Sequence, residues 1–130
     1  MRHPQDRRSA TDVRRIRVIG STVALALVAS VAGAHAFLDQ AEPRVGNTVR
    51  AAPREVTLQF TQDLEPAFSS ATITDASGQR VDAGKPSISG NVMRLPLRPI
   101  GAGSYRVMWR VLSVDTHTTE GAFTFRVDMP

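Results

Sequence analysis

Three residues of this sequence have the chemistry to share one metal ion: His35, Asp115 and His117. Asp115 and His117 are two positions apart, and in an extended stretch such side chains project to one side while Thr116 faces away. His35 directly follows Val31-Ala32-Gly33-Ala34. If the chain is cut after Ala34, His35 becomes an N-terminus and offers its α-amine and imidazole as a chelate. With a His117 nitrogen and an Asp115 oxygen, these make a three-nitrogen, one-oxygen set. Tetragonal N,O coordination suits Cu(II), which also tops the affinity order for such ligands. Zn(II) could use the same atoms but favours a tetrahedron. The amine binds only after losing its proton, from an unperturbed pKa of about 7.7 to 8.0, so binding should weaken in acid. Taken singly, a D-x-H is more often a polar turn with a solvated carboxylate, and an N-terminal histidine is seldom a ligand. The two features together, in a mature segment whose only histidines these are, point to a metal.

The cut is therefore the first element to establish. Residues 1–17 carry Arg2, Arg7, Arg8, Arg14, Arg15 and Arg17 against Asp6 and Asp12, and Val18 to Val31 hold no charge. A basic region, a short apolar run and small residues before the cut are the pattern of a secretory signal over residues 1–34. The apolar run is about 15 residues, short of the 18 or more of a membrane span, although an uncleaved anchor stays open. Neither arginine pair carries the full twin-arginine pattern, so the export route, Sec or Tat, is open as well. Ala34-His35-Ala36 is itself an A-x-A pattern, and a cut after Ala36 would discard the chelate; the cut after Ala34 is the preferred one. His3 leaves with the signal.

Cleavage changes the meaning of the charge. The whole chain is +4, but residues 35–130 hold ten Lys/Arg and ten Asp/Glu, so the mature domain is neutral and nucleic acid is an unsuitable partner. The sequence has no cysteine, which excludes a disulfide framework and thiolate metal sites. The remaining domain, 35–130, is near the lower range of sizes that bury an adequate core unaided.

That domain reads as all-β. Val56, Leu58 and Phe60 alternate with Thr57 and Gln59; Ala71 to Thr74 form a second candidate, ended by the turn residues Asp75-Ala76-Ser77-Gly78. Met93, Leu95 and Leu97 alternate next, with Pro96 marking an edge or a strand end. Tyr105, Val107, Trp109 and Val111 share one face of the longest strand, and Phe123, Phe125 and Val127 close the chain. Residues 35–43 look like an edge strand leading to a turn at Arg44 to Asn47, anchored by Phe37 or Leu38. Several short strands between Gly, Pro and Asn turns predict a two-sheet antiparallel sandwich or Greek-key barrel.

The mature segment resembles the CopC-type copper-resistance proteins. The resemblance lies in His35-Ala36-Phe37-Leu38 with Pro43 and Gly46, Ala52-Pro53 before the Val56 to Phe60 strand, and Glu65-Pro66-Ala67-Phe68-Ser69. Above all it lies in Trp109-Arg110-Val111-Leu112-Ser113-Val114-Asp115-Thr116-His117, continued to Gly121. It implies a small Greek-key β-barrel or sandwich of cupredoxin-like or immunoglobulin-like appearance. It also implies a non-enzymatic, periplasmic or cell-surface Cu(II) carrier, one ion per monomeric chain, and a CopD-type membrane copper transporter as partner. The ligands it implies are His35, Asp115 and His117. The departures are informative. The region from Asp75 to Gly90 lacks the methionines with which some members bind Cu(I), and Met93 and Met108 read as strand-packing residues. Thr118 stands where a proline is familiar, and Gln62 where some relatives have Glu; neither Gln62 nor Asp63 receives a role. Two other classes remain: a metal-free sandwich that binds a protein partner, and a histidine-brace oxidase. Against the oxidase stand an Asp on the copper and little surface for a substrate.

Overall fold

Side-chain alternation builds the fold almost strand by strand. Val56, Leu58 and Phe60 are fully buried along β3 (Glu55–Phe60), and Ile73 is buried at the centre of β4 (Ser70–Asp75). Met93 and Leu95 fill β6 (Val92–Pro96), where Pro96 ends the strand. Tyr105, Val107 and Val111 line the inner face of β7 (Gly103–Leu112), and Phe123, Phe125 and Val127 that of β8 (Thr118–Val127). Each such fully buried Leu, Ile, Val or Phe contributes about 1.5–3 kcal/mol, so these rows dominate the choice of fold.

The computed structural model describes residues 36–130; the predicted signal 1–34, its cut and His35 lie outside the described residues. The strands form two four-stranded sheets. One has the order β1 (Leu38–Glu42), β3, β6, β5 (Ser87–Ser89), with antiparallel neighbours throughout. The other runs β2 (Thr48–Val49), β8, β7, β4. Their inner faces supply one hydrophobic core, so the architecture is a sandwich; no single ladder closes it into a barrel among the described residues.

One expectation needs correction. The sheets are not antiparallel throughout, because β2 pairs in parallel with β8, Thr48 opposite Arg126 and Val49 opposite Val127. After β1 the turn at Arg44 to Asn47 sends the chain to the second sheet instead of back along the first. It is tied there by Gly46 N–H to the Thr124 carbonyl (2.8 Å) and by Arg126 N–H to the Asn47 carbonyl (2.9 Å). Of the two anchors expected for the first segment, Leu38 is the one that packs against the core, whereas Phe37 is 47% exposed. Ala36 is the buried residue, with Leu38 packed against the core beside it.

At one end of the sandwich the two sheets are joined by hydrogen bonds. Phe37 N–H donates to Thr61 Oγ1 (2.9 Å) and Thr61 N–H to the Phe37 carbonyl (2.9 Å), extending the pairing of β1 with β3. Thr119 Oγ1, on β8, donates to the Ala36 carbonyl (2.6 Å). The segment after β3 then lies along the exit of β7: Glu65 N–H donates to the Leu112 carbonyl (2.8 Å), Leu112 N–H to Ser69 Oγ (3.0 Å) and Val114 N–H to the Asp63 carbonyl (3.0 Å). Trp109 packs edge-on against Phe60, ring centroids 5.2 Å apart, and over Gly121, where an added Cβ would lie 2.5 Å from the indole.

Candidate metal centre

Asp115 and His117 lie in the loop between β7 and β8, at this same end. They are not in an extended stretch. Thr116 N–H donates to the Ser113 carbonyl (2.9 Å) and Ser113 N–H to the His117 carbonyl (3.0 Å), which closes a three-residue hairpin loop over Val114, Asp115 and Thr116. Such loops place their third residue in the left-handed region, and Thr116 has φ 72°. A β-branched residue there is strained, by about 1–2 kcal/mol. Its hydroxyl donates to the Asp115 carbonyl, a local contact within the turn.

The turn brings the two side chains together by a route other than the predicted i, i+2 alternation. His117 Nδ1 lies 3.4 Å from Asp115 Oδ1, and the two side chains are 45% and 40% exposed. The arrangement offers an imidazole nitrogen and a carboxylate oxygen side by side on an open rim, a donor set suited to Cu(II) or Zn(II). Asp115 is held below the ordinary aspartate value. The hydrogen bond from Ser113 is the main cause, partial desolvation opposes it, and His117 adds in the lowering direction. The carboxylate is thus ionised at neutral pH, the state a metal requires.

Below the pair sits Ser113, fully buried at the end of the inward row of β7. Its hydroxyl donates to Asp115 Oδ1 and accepts from His117 N–H (3.4 Å), with the His117 carbonyl 3.2 Å away. Neither Ser113 nor Thr119 stands out by residue type. Alternation was the available signal: counting by twos from Trp109 puts Ser113 inside, and from Phe123 puts Thr119 inside.

Among the described residues no three His, Asp or Glu side chains gather as a ready-made metal cluster. Two of the three predicted ligands meet, and the third, His35, lies outside those residues. Asp63 takes part through its main-chain carbonyl, which fixes Val114.

A profile of the CopC domain matches residues 38–128. The chain belongs to the CopC family. It is similar to copper resistance protein C of Xanthomonas campestris pv. juglandis, 36% identical over 126 residues, covering 85% of this chain and 96% of that one. The crystal structure of CopC from Methylosinus trichosporium OB3b superposes with a TM-score of 0.69 at 37% identity, covering 73% of this chain and 95% of that one. PcoC, a methionine-rich copper resistance protein from Escherichia coli, superposes with a TM-score of 0.64 at 33% identity, covering 73% of this chain and all of that one. Family membership gives the chain a copper-binding or copper-transport role of a non-catalytic kind, typically exercised outside the cytoplasm. Unlike a methionine-rich relative, this CopC-family chain has four methionines. Met93 is fully buried, the packing position its strand pattern predicts, whereas Met108 is exposed on the outer face of β7.

Proposed function

We propose that the protein is an exported Cu(II) carrier with one copper site per chain, completed when signal cleavage after Ala34 frees the amine of His35. The observation that carries this reading is the bond from Thr119 to the Ala36 carbonyl. It fixes the chain one residue downstream of His35 to the strand that begins immediately after His117. Since consecutive Cα atoms are about 3.8 Å apart, a chelate at residue 35 is within reach of the Asp115 and His117 pair. A cut after Ala36 would remove the residue that Thr119 holds, which favours the cut after Ala34. The His35 amine and imidazole, a His117 nitrogen and an Asp115 oxygen then supply the tetragonal donor set that Cu(II) prefers. An open, rim-placed site suits a cargo ion that is handed on. The recipient in this reading is a CopD-type membrane copper transporter, and the carrier works as a monomer in the periplasm or at the cell surface.

The test is a Cu(II) titration of the exported protein, after intact mass has located its N-terminus, followed by electron paramagnetic resonance. One tight tetragonal site with several nitrogen couplings is the expected result. A stoichiometry other than one, or unchanged binding in His117→Ala, overturns the reading.

A further inference from the structure

Ser113 presents a hydroxyl where the sandwich offers apolar surroundings. It continues the inward row of Tyr105, Val107, Trp109 and Val111 and is 0% exposed. A buried hydroxyl without partners is unfavourable, and alanine at this position would keep the same burial with no polar group to satisfy. The partners Ser113 does have are all in the loop above it: the carboxylate of Asp115 and the main-chain N–H and carbonyl of His117. The hydroxyl's contacts to the His117 main chain are long, 3.4 and 3.2 Å, and the turn has other bonds to close it. The Thr116 to Ser113 and Ser113 to His117 main-chain bonds close the turn, and the Asp63 carbonyl holds Val114. The hydroxyl's own contribution is therefore to the direction in which the Asp115 carboxylate points.

We infer that Ser113 is a positioning residue for copper, acting through Asp115 by clamping its carboxylate beside His117 before the ion arrives. The inference rests on the copper reading above. A carboxylate on an exposed turn has two freely rotating bonds, and a ligand held in place by an outer hydrogen bond loses less freedom on binding.

The experiment compares the exported parent protein with Ser113→Ala, Asp115→Ala and the double variant, by Cu(II) competition against a chelator and by electron paramagnetic resonance. Ser113→Ala is expected to weaken Cu(II) binding by about 10- to 100-fold, the usual effect of removing an outer partner of a metal ligand. Its spectrum should shift from the parent's toward that of Asp115→Ala, and the double variant should bind no more weakly than Asp115→Ala alone. A merely structural serine would lower the unfolding temperature of the metal-free protein and leave the spectrum unchanged. Parent-like binding by Ser113→Ala, or losses that multiply in the double variant, overturns the inference. Asp115→Glu provides a second route that leaves the buried residue intact: it keeps a carboxylate but moves it one methylene from the hydroxyl, and a loss of similar size is expected. Parent-like binding by Asp115→Glu overturns the inference as well. If the parent itself binds no Cu(II), the copper reading fails and the inference falls with it, an outcome distinct from tight binding by parent and Ser113→Ala alike.

Discussion

The turn at Asp75 to Gln79 and the turn at Ser113 to His117 share a backbone and differ in what they do with a carboxylate. In each, the first residue's N–H donates to the fifth residue's carbonyl: Asp75 to Gln79 at 2.9 Å, Ser113 to His117 at 3.0 Å. In each, the fourth N–H donates to the first carbonyl, and the fourth residue has positive φ: Gly78 at 87°, Thr116 at 72°. The order of the polar side chains is reversed. Asp75 is first and Ser77 third, so Asp75 Oδ1 faces into the turn and accepts from Ser77 N–H (2.9 Å), Ser77 Oγ (2.7 Å) and Gln79 N–H (3.0 Å). In the other turn Ser113 is first and Asp115 third. The hydroxyl takes the inner place, and the carboxylate is on the rim with the imidazole of the fifth residue. One turn consumes its carboxylate as a brace for its own backbone; the other displays it.

The largest expected difference is in copper. Asp115→Ala should weaken Cu(II) binding by more than the 10- to 100-fold typical of losing an outer partner, whereas Asp75→Ala should leave affinity unchanged and lower only the unfolding temperature. Equal effects of the two in a competition titration would erase the distinction. The strands under the turn at Ser113 to His117 have no slack, so Gly121→Ala should displace Trp109 and destabilise by about 1–3 kcal/mol, read by denaturant unfolding with a shift in tryptophan emission. The fourth position comes next. At Gly78 an added Cβ has no other atom within 4 Å, yet Gly78→Thr should cost about 1–2 kcal/mol for the left-handed backbone alone. Thr116→Gly gains that amount back but loses about 0.5–1 kcal/mol in chain entropy, so its net effect on unfolding should be a stabilisation of no more than about 1.5 kcal/mol. The smallest effect is in acid. Asp75 is held low chiefly by the Ser77 hydroxyl, Asp115 chiefly by the Ser113 hydroxyl. Each therefore adds stability that is complete above the unfolded value near 3.9 and disappears as pH falls through its lower folded value. In the metal-free protein, Asp75→Asn and Asp115→Asn should each flatten the stability profile below about pH 4 and leave it parallel to the parent above pH 5.

Much of this was legible in the residues themselves. β3, β7 and β8 announce themselves because large apolar side chains recur at every second position, and burial follows that pattern. β2 and β5, of two and three residues, are too short to carry a period, and the direction of β2 is set by the turn at Arg44 to Asn47 and its bonds to β8. Asp115 and His117 could be chosen by type and spacing, but their conformation could not. Threonine is a poor indicator of a left-handed residue, so Asp115-Thr116-His117 reads as extended where the chain in fact turns. Ser113 and Thr119 are hard to see for the opposite reason: serine and threonine near a loop look like solvent-facing polarity, and only strand parity places them inside. The role proposed for His35 rests on a cut after Ala34, and both lie outside the described residues.

The hydrogen bond between Thr119 and the Ala36 carbonyl also bears on how the protein is handled at the bench. Because residue 36 is fastened beside the Asp115 and His117 rim, any affinity tag, fusion linker or stray initiator methionine attached N-terminal to residue 35 is delivered to that rim. β8 carries the chain away from the loop for ten residues, about 30 Å along an antiparallel strand. A purification handle after Pro130 therefore sits at the far end of the sandwich, and a protein purified that way reports on the domain's own ligands.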